Sequence, residues 1–183
     1  MAQSEHLTSP ALQALLQDGK LAGSWTLDSS RTEIGLKSRS MWGLVPVKGV
    51  FREVTGNGTV SAAGEVAGVI TVAAGSIDTK VKKRDDHLRS AELFDVDSHP
   101  HITFAVKQVQ PSGQGVTVAG DLTVRDTTRP VSFAARISSA GEAEVSLDGE
   151  VRVNRADFGL TWNQLGMASM DNAITVHAVF TRQ

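Results

Sequence analysis

The chain has no cysteine and no tyrosine, and only five prolines, among its 183 residues. Without cysteine there can be no disulfide, no thiolate metal site and no cysteine nucleophile. An excess of charge of either sign is also missing. The formal net charge is −2 and the isoelectric point about 6.2, so no basic field draws the chain to nucleic acid. No stretch approaches the roughly 18 uninterrupted apolar residues of a membrane span, which speaks against stable membrane insertion. The first residues, Met1-Ala-Gln-Ser-Glu-His-Leu-Thr8, lack a basic start followed by an apolar run, and a cytoplasmic location is expected. Enzyme signatures are absent too: there is no nucleophile elbow, P-loop, Gly-x-Gly-x-x-Gly after a strand or His-Glu-x-x-His. The expectation is a protein without catalytic activity. A homodimer is compatible with this composition.

What the chain does have is alternation with a period of two. Ile34 and Leu36 alternate with Glu33 and Lys37, and Ile102, Phe104 and Val106 with Thr103 and Lys107. Val116, Val118, Leu122 and Val124 share a face with Gly120; Val131, Phe133, Ala135 and Ile137 follow. Val145, Leu147, Val151 and Val153 keep register with Gly149, and the last strand sets Ile174, Val176, Ala178 and Phe180 opposite Thr175 and His177. Such strict alternation means one buried and one wet face. Turns are expected at Gly56-Asn-Gly58, Ser112-Gly-Gln-Gly115 and Ala140-Gly141. Eight or nine strands of this length predict an all-β fold, a single antiparallel barrel of about eight strands, since closure removes exposed edges.

Two segments break the pattern. Ser9-Pro10 is a helix start, and Leu12, Leu15 and Leu16 form a one-sided stripe that stops at Gly19. Residues 1–23 are therefore read as an amphipathic helix and lead-in that packs outside the barrel or caps one end, and residues 24–183 as the barrel domain. Ser76 to Phe104 is a charged crossover containing a short helix.

Several residues could carry chemistry. Asp78, Arg84, Asp85 and His87 place carboxylates beside an imidazole, an acid–base set in principle; the plainer expectation is that Arg84 pairs with Asp78 or Asp85 while His87 packs the crossover helix. His99 and His101, two apart, could begin a metal site, but no third ligand is evident and none is assigned. Small inward residues, Gly68, Ala74, Gly120, Ala135, Gly149 and Ala178, fit either an open lumen or the relief of tight barrel corners. Trp25 is expected to plug a barrel end and Trp162 to pack under a loop, whereas Trp42 sits in the apolar loop Met41-Trp-Gly-Leu-Val-Pro46.

The crossover wording, Ser76-Ile-Asp-Thr79 followed by Arg84-Asp85-x-His87-Leu88-x-Ser90, Leu93-Phe94-Asp95 and Pro100-x-Ile102-x-Phe104, closely resembles the signature of the YceI-like family. The likeness runs from Trp25 to Phe180 through Val47-Lys-Gly-x-Phe51, Val118-x-Gly-Asp-Leu-Thr-Val124, Thr128-Arg-Pro-Val131 and Arg155-x-Asp-Phe-Gly-Leu160. The chain departs from it at Ser30-Arg31, Ser40, Lys80-Val81 and Asp126-Thr127, all polar positions that bear on a ligand's headgroup.

The resemblance implies a lipocalin-like barrel that carries or sequesters an isoprenoid-type lipid, a polyprenyl chain or a quinone, as an apolar long-chain partner. The expected lining is Ile34, Leu36, Trp42, Ile70, Val72, Phe104, Val106, Leu122, Phe133, Ala135, Ile137, Leu147, Val176 and Phe180. No other cofactor is expected. The competing readings are a packed-barrel interaction or stress-response module without lipid, and, more weakly, a hydrolase or isomerase acting on a lipid.

Overall fold

The computed structural model describes residues 9–183; the Met1–Thr8 stretch behind the targeting expectation lies outside the described residues. Helix α1 (Ser9–Gln17) ends where the sequence places its stop. Gly19 is left-handed, and the amides of Gly19 and Lys20 return to the carbonyls of Leu16 and Leu15 at 3.3 and 3.2 Å. That closing pattern satisfies carbonyls the helix end would otherwise leave bare.

The strands are β1 (Gly23–Leu27), β2 (Glu33–Ser40), β3 (Val45–Phe51), β4 (Val54–Val60), β5 (Val66–Ala73), β6 (Ile77–Asp78), β7 (His101–Ser112), β8 (Gly115–Val124), β9 (Thr127–Gly141), β10 (Glu144–Asn154) and β11 (Asp171–Arg182). Helix α2 (Lys82–Arg89) lies in the crossover between β6 and β7. All pairings are antiparallel. The ring β1-β4-β5-β7-β8-β9-β10-β11 closes because β11 also pairs with β1, Trp25 facing Arg182 in register. The remaining strands, β2, β3 and β6, continue from β11 at the other end, where Ala173 to His177 pair with Lys37 to Glu33.

Among the described residues eleven strands thus stand where eight or nine are expected, because two barrel staves bend and the crossover adds the two-residue β6. β1 and β2 share the edge of β11 across the corner Asp28–Thr32, and β3 and β4 are parted only by Arg52 and Glu53. The first corner is held by Asp28, which accepts from the Ser30 amide and hydroxyl at 3.0 and 2.6 Å and from Arg31 Nε at 2.7 Å.

Two turn expectations are corrected. Gly56-Asn-Gly58 is inside β4 rather than a turn, since Gly58 faces Gly68 of β5 and a Cβ on Gly68 would come within 2.7 Å of the Asn57 carbonyl oxygen. The glycines permit close strand approach there. The Ala140-Gly141 turn moves on to Glu142-Ala143, with Glu144 paired to Gly141. The turn at Gly113-Gln114 is as expected.

Packing divides the interior. At the α1 end, Leu12, Leu16, Leu21 and Trp25 pack with Val116, Val118, Ala135 and Ile137. Trp25 donates its indole N–H to the Leu21 carbonyl at 2.9 Å, and the Arg182 guanidinium covers its ring. The helix is a plug, one of the two roles expected of it. At the other end Leu27, Ile34, Phe51, Ile77, Leu93, Phe94 and Phe158 form a second cluster.

Candidate functional site

Between the plug and the crossover end lies a cavity of about 740 Å³, within the ~300–1,000 Å³ common for small-molecule sites. Its walls are the inward phase of the strands. Ile34, Leu36, Ile70, Val72, Phe104, Val106, Leu122, Phe133, Leu147, Val176 and Phe180 all line it. Phe104 and Phe180 touch both clusters, and the Phe104 and Phe133 rings meet at 6.0 Å, so these aromatics form a floor above the plug.

Three expected lining residues are elsewhere. Ala135 and Ile137 point inward but sit below the floor, in the cluster capped by α1. Trp42 is on the rim, 65% exposed, in a loop whose Met41 reaches the cavity instead. The Trp42 amide donates to the Met167 carbonyl at 3.1 Å, tying the β2–β3 loop to the β10–β11 loop across the mouth.

Other lining residues escape the sequence pattern. Val109 enters because the β7–β8 register shifts between Val106 and Gln108, a bulge that reverses the phase; the successive polar residues Lys107-Gln108 were the available signal. Leu88, Leu93 and Phe94 enter from the crossover, where no period of two exists to reveal them.

The crossover's polar residues are structural. Thr79 and Asp85 are both buried. One Asp85 carboxylate oxygen accepts from the Thr79 amide at 3.0 Å and from its hydroxyl at 2.5 Å. Arg84 donates to the Thr79 hydroxyl and carbonyl oxygens at 2.8 and 2.9 Å. The expected pairing of Arg84 with a carboxylate is thereby corrected: the arginine and the aspartate meet through Thr79. Asp78 instead binds Arg52 and Lys80, and the Lys80 amide with these two side chains holds its carboxyl well below the usual range.

His87 lines the mouth. Its Nε2 donates to the Glu92 carboxylate at 2.6 Å, and its ring stands edge-on to Trp162 at 4.1 Å between centroids. His99 is half-buried and His101 exposed, and among the described residues no three His, Cys, Asp or Glu converge as a metal site. His177 faces Asp148 at 2.6 Å on the outer surface.

At the same mouth, Arg155 follows β10 and organises the next loop. Its Nε donates to the Ser169 carbonyl at 3.0 Å, and Nη1 to the carbonyls of Leu160 and Trp162, each at 2.8 Å. Its Nη2 is buried and bonds to no described residue, and desolvation lowers the pKa of the group. Chemically, the site offers apolar walls with a polar, cationic mouth.

No described helix is long and apolar enough to cross a membrane. Residues 25–181 match the YceI-like domain family. A UPF0312 protein of Pectobacterium atrosepticum is 32% identical over 119 residues, a stretch covering 62% of this chain and 62% of that protein. Among solved structures, Burkholderia cenocepacia BcnA superposes with a TM-score of 0.76 at 21% identity, covering 84% of this chain and 98% of BcnA. A polyisoprenoid binding domain from Saccharophagus degradans, implicated in plant cell wall breakdown, gives 0.70 at 14% identity, covering 87% and 98%. At such identities these two speak for the fold.

Proposed function

The chain belongs to the YceI-like domain family, and on that basis we propose that it binds an isoprenoid-type lipid, a polyprenyl chain or a quinone, inside the barrel, and carries or sequesters it without catalysing a reaction. The observation that carries this reading is the apolar cavity of about 740 Å³. That space holds on the order of 25 chain atoms, taking for each roughly the 30 Å³ of a liquid water molecule. The similarity in fold to a polyisoprenoid binding domain supports it. We place Phe104, Leu122, Phe133, Leu147 and Val176 among the residues that touch the chain.

Burial supplies the affinity. Each methylene removed from water contributes roughly 0.8 kcal/mol, so ten or more buried chain atoms offset much of the ~4–15 kcal/mol lost on association. The packed-barrel alternative requires the interior to be filled, and the cavity counts against it. In keeping with the sequence-based expectation, the carrier works in the cytoplasm, a location that cell fractionation checks.

Mass spectrometry of an organic extract of the purified protein tests the proposal. A stoichiometric isoprenoid or quinone is the expected result. Repeated extraction of no lipid, together with failure to take up added prenyl chains, would favour the module without ligand.

A further inference from the structure

The ladder between β9 and β10 is incomplete. It runs from Glu144–Gly141 to Gly149–Ala135 and stops there, although both strands continue. Beyond that point β9 stays paired with β8 down to Thr127, and β10 with β11 up to Asn154. Among the described residues no ladder pair joins 127–134 to 150–154, so two strand edges face each other across a seam. The composition agrees with an edge. Pro130 lies in this part of β9, and a proline, lacking an amide hydrogen, is confined in sheets to edges and irregular places.

The seam begins at the floor, beside Phe133 and Gly149, and runs to the mouth, where Arg155 follows β10. Val131, Val151, Val153 and Phe158 border both the lumen and a second cavity on the outer side of the seam, where Arg129, Ser132, Arg152 and Asn154 stand. One layer of side chains thus separates the apolar interior from solvent. Phe158, the largest of the four, is 5% exposed. It ends the short helical turn Arg155–Phe158, which the Asn154 side chain caps and left-handed Gly159 terminates. Arg129 Nε donates across the seam to the Asp157 carbonyl at 3.2 Å, a long hydrogen bond that ties this turn to β9. The open end of the barrel is less free, because the Trp42–Met167 bond straps the mouth.

Resting on the carrier reading, we infer that the β9–β10 seam is a lateral gate for the ligand. The strands part between the floor and the mouth, Phe158 turns outward, and the apolar chain passes sideways between the two edges instead of threading end-on beneath the strap. Parting breaks no ladder hydrogen bond along this stretch. What it interrupts is the contact among four apolar side chains, which re-forms around the bound chain. The paired half of the two strands, from Ala135–Gly149 to the plug, is the fixed end of the slit.

A reversible staple tests the gate. Ser132 and Arg152 are exposed, and continuing the register of Gly149–Ala135 would set them opposite each other. The chain has no cysteine, so Ser132→Cys/Arg152→Cys supplies its only thiols. Oxidation closes the seam, or a short bis-methanethiosulfonate where the thiols do not join directly. Retinol, an isoprenoid alcohol, is the probe; its uptake from and release to phosphatidylcholine vesicles are followed by quenching of tryptophan fluorescence, and its affinity by equilibrium titration. The staple should slow uptake and release about tenfold or more, as where an opening motion limits passage, and leave affinity unchanged. Dithiothreitol should restore both rates. Thr123→Cys/Thr128→Cys, on the paired strands β8 and β9 where the two hydroxyls lie 2.8 Å apart, is the control staple and should alter neither rate.

Equal rates in the stapled and reduced protein overturn the gate and leave the carrier reading intact. Failure of the unaltered protein to bind retinol overturns the carrier reading itself. Hydrogen exchange on the unaltered protein examines the seam without any substitution. Residues 150–154, laddered on one side, should exchange about tenfold faster or more than 145–149, laddered on both. Equal protection of the two stretches also overturns the gate.

Discussion

The ring of Phe133 lies against Gly149 of the neighbouring strand, where an added Cβ would come within 3.0 Å of a ring carbon. The same arrangement recurs two strand pairs away, between β7 and β8, with Phe104 over Gly120. Part of the small-residue pattern along the strands thus seats aromatic rings against the wall instead of leaving space. The space lies above these rings, and the close packing lies below them.

This division predicts opposite outcomes for the same enlargement at two inward positions. Val176→Trp, above the floor, should leave the fold intact and abolish lipid uptake, because the indole occupies the cavity in place of the chain. Ala135→Trp, below it, should destabilise by about 1–3 kcal/mol or more, since a packed cluster cannot absorb a ring without strain. Thermal melts paired with retinol titration separate them. Equal destabilisation by both would mean that the interior is packed throughout.

A second expectation concerns the crossover. Asp85→Ala removes the carboxylate that accepts both polar hydrogens of buried Thr79, leaving donors unsatisfied at a cost of about 1–3 kcal/mol. Arg84→Ala deprives the same threonine of its other partner and should also lower the melting midpoint more than it lowers lipid affinity. If Arg84→Ala instead lost lipid with an unchanged melt, Arg84 would belong to the site.

The inward face of most strands was legible from alternation, and eleven of the expected positions do line the cavity. Depth along the barrel axis was not. Phe133, Ala135 and Ile137 share one face of β9, yet only the first borders the cavity, because α1 fills the end where the other two lie. Periodicity encodes the side of a sheet and carries nothing about which element covers it. The β7 bulge that brings Val109 inward, and the choice of Thr79 over a carboxylate by Arg84, depend likewise on contacts between segments remote from each other in sequence.

Acid should loosen the first corner. Hydrogen bonds from the Ser30 hydroxyl and from Arg31 lower the Asp28 carboxyl from 3.8 to about 2. A depressed acid contributes its stability above the unfolded value and loses it as pH falls through the folded one. Between about pH 4 and pH 2 the protein should therefore lose melting temperature. Asp28→Asn should melt lower than the unaltered protein at neutral pH and approach it near pH 2. A constant gap across that window would show that the corner is held by shape and not by ionisation.

The rim gives the last prediction. Trp42, Leu44 and Leu165 are 65, 81 and 77% exposed, and the loops that carry them are joined across the mouth by the Trp42–Met167 hydrogen bond. Large apolar side chains left in water at a cavity entrance favour contact with an apolar donor surface. Met41 and Trp42 both take left-handed backbone conformations, uncommon for bulky residues, which fixes how the loop presents the indole. Trp42→Ser should change stability by no more than about 0.5 kcal/mol, as surface substitutions usually do, and should slow retinol uptake from vesicles severalfold. Equilibrium affinity should hold, since Trp42 does not line the cavity. A vesicle-transfer time course beside an equilibrium titration distinguishes the two effects. An unchanged rate would reduce Trp42 to ordinary surface, whereas a loss of affinity at equal rate would return it to the ligand-contacting set.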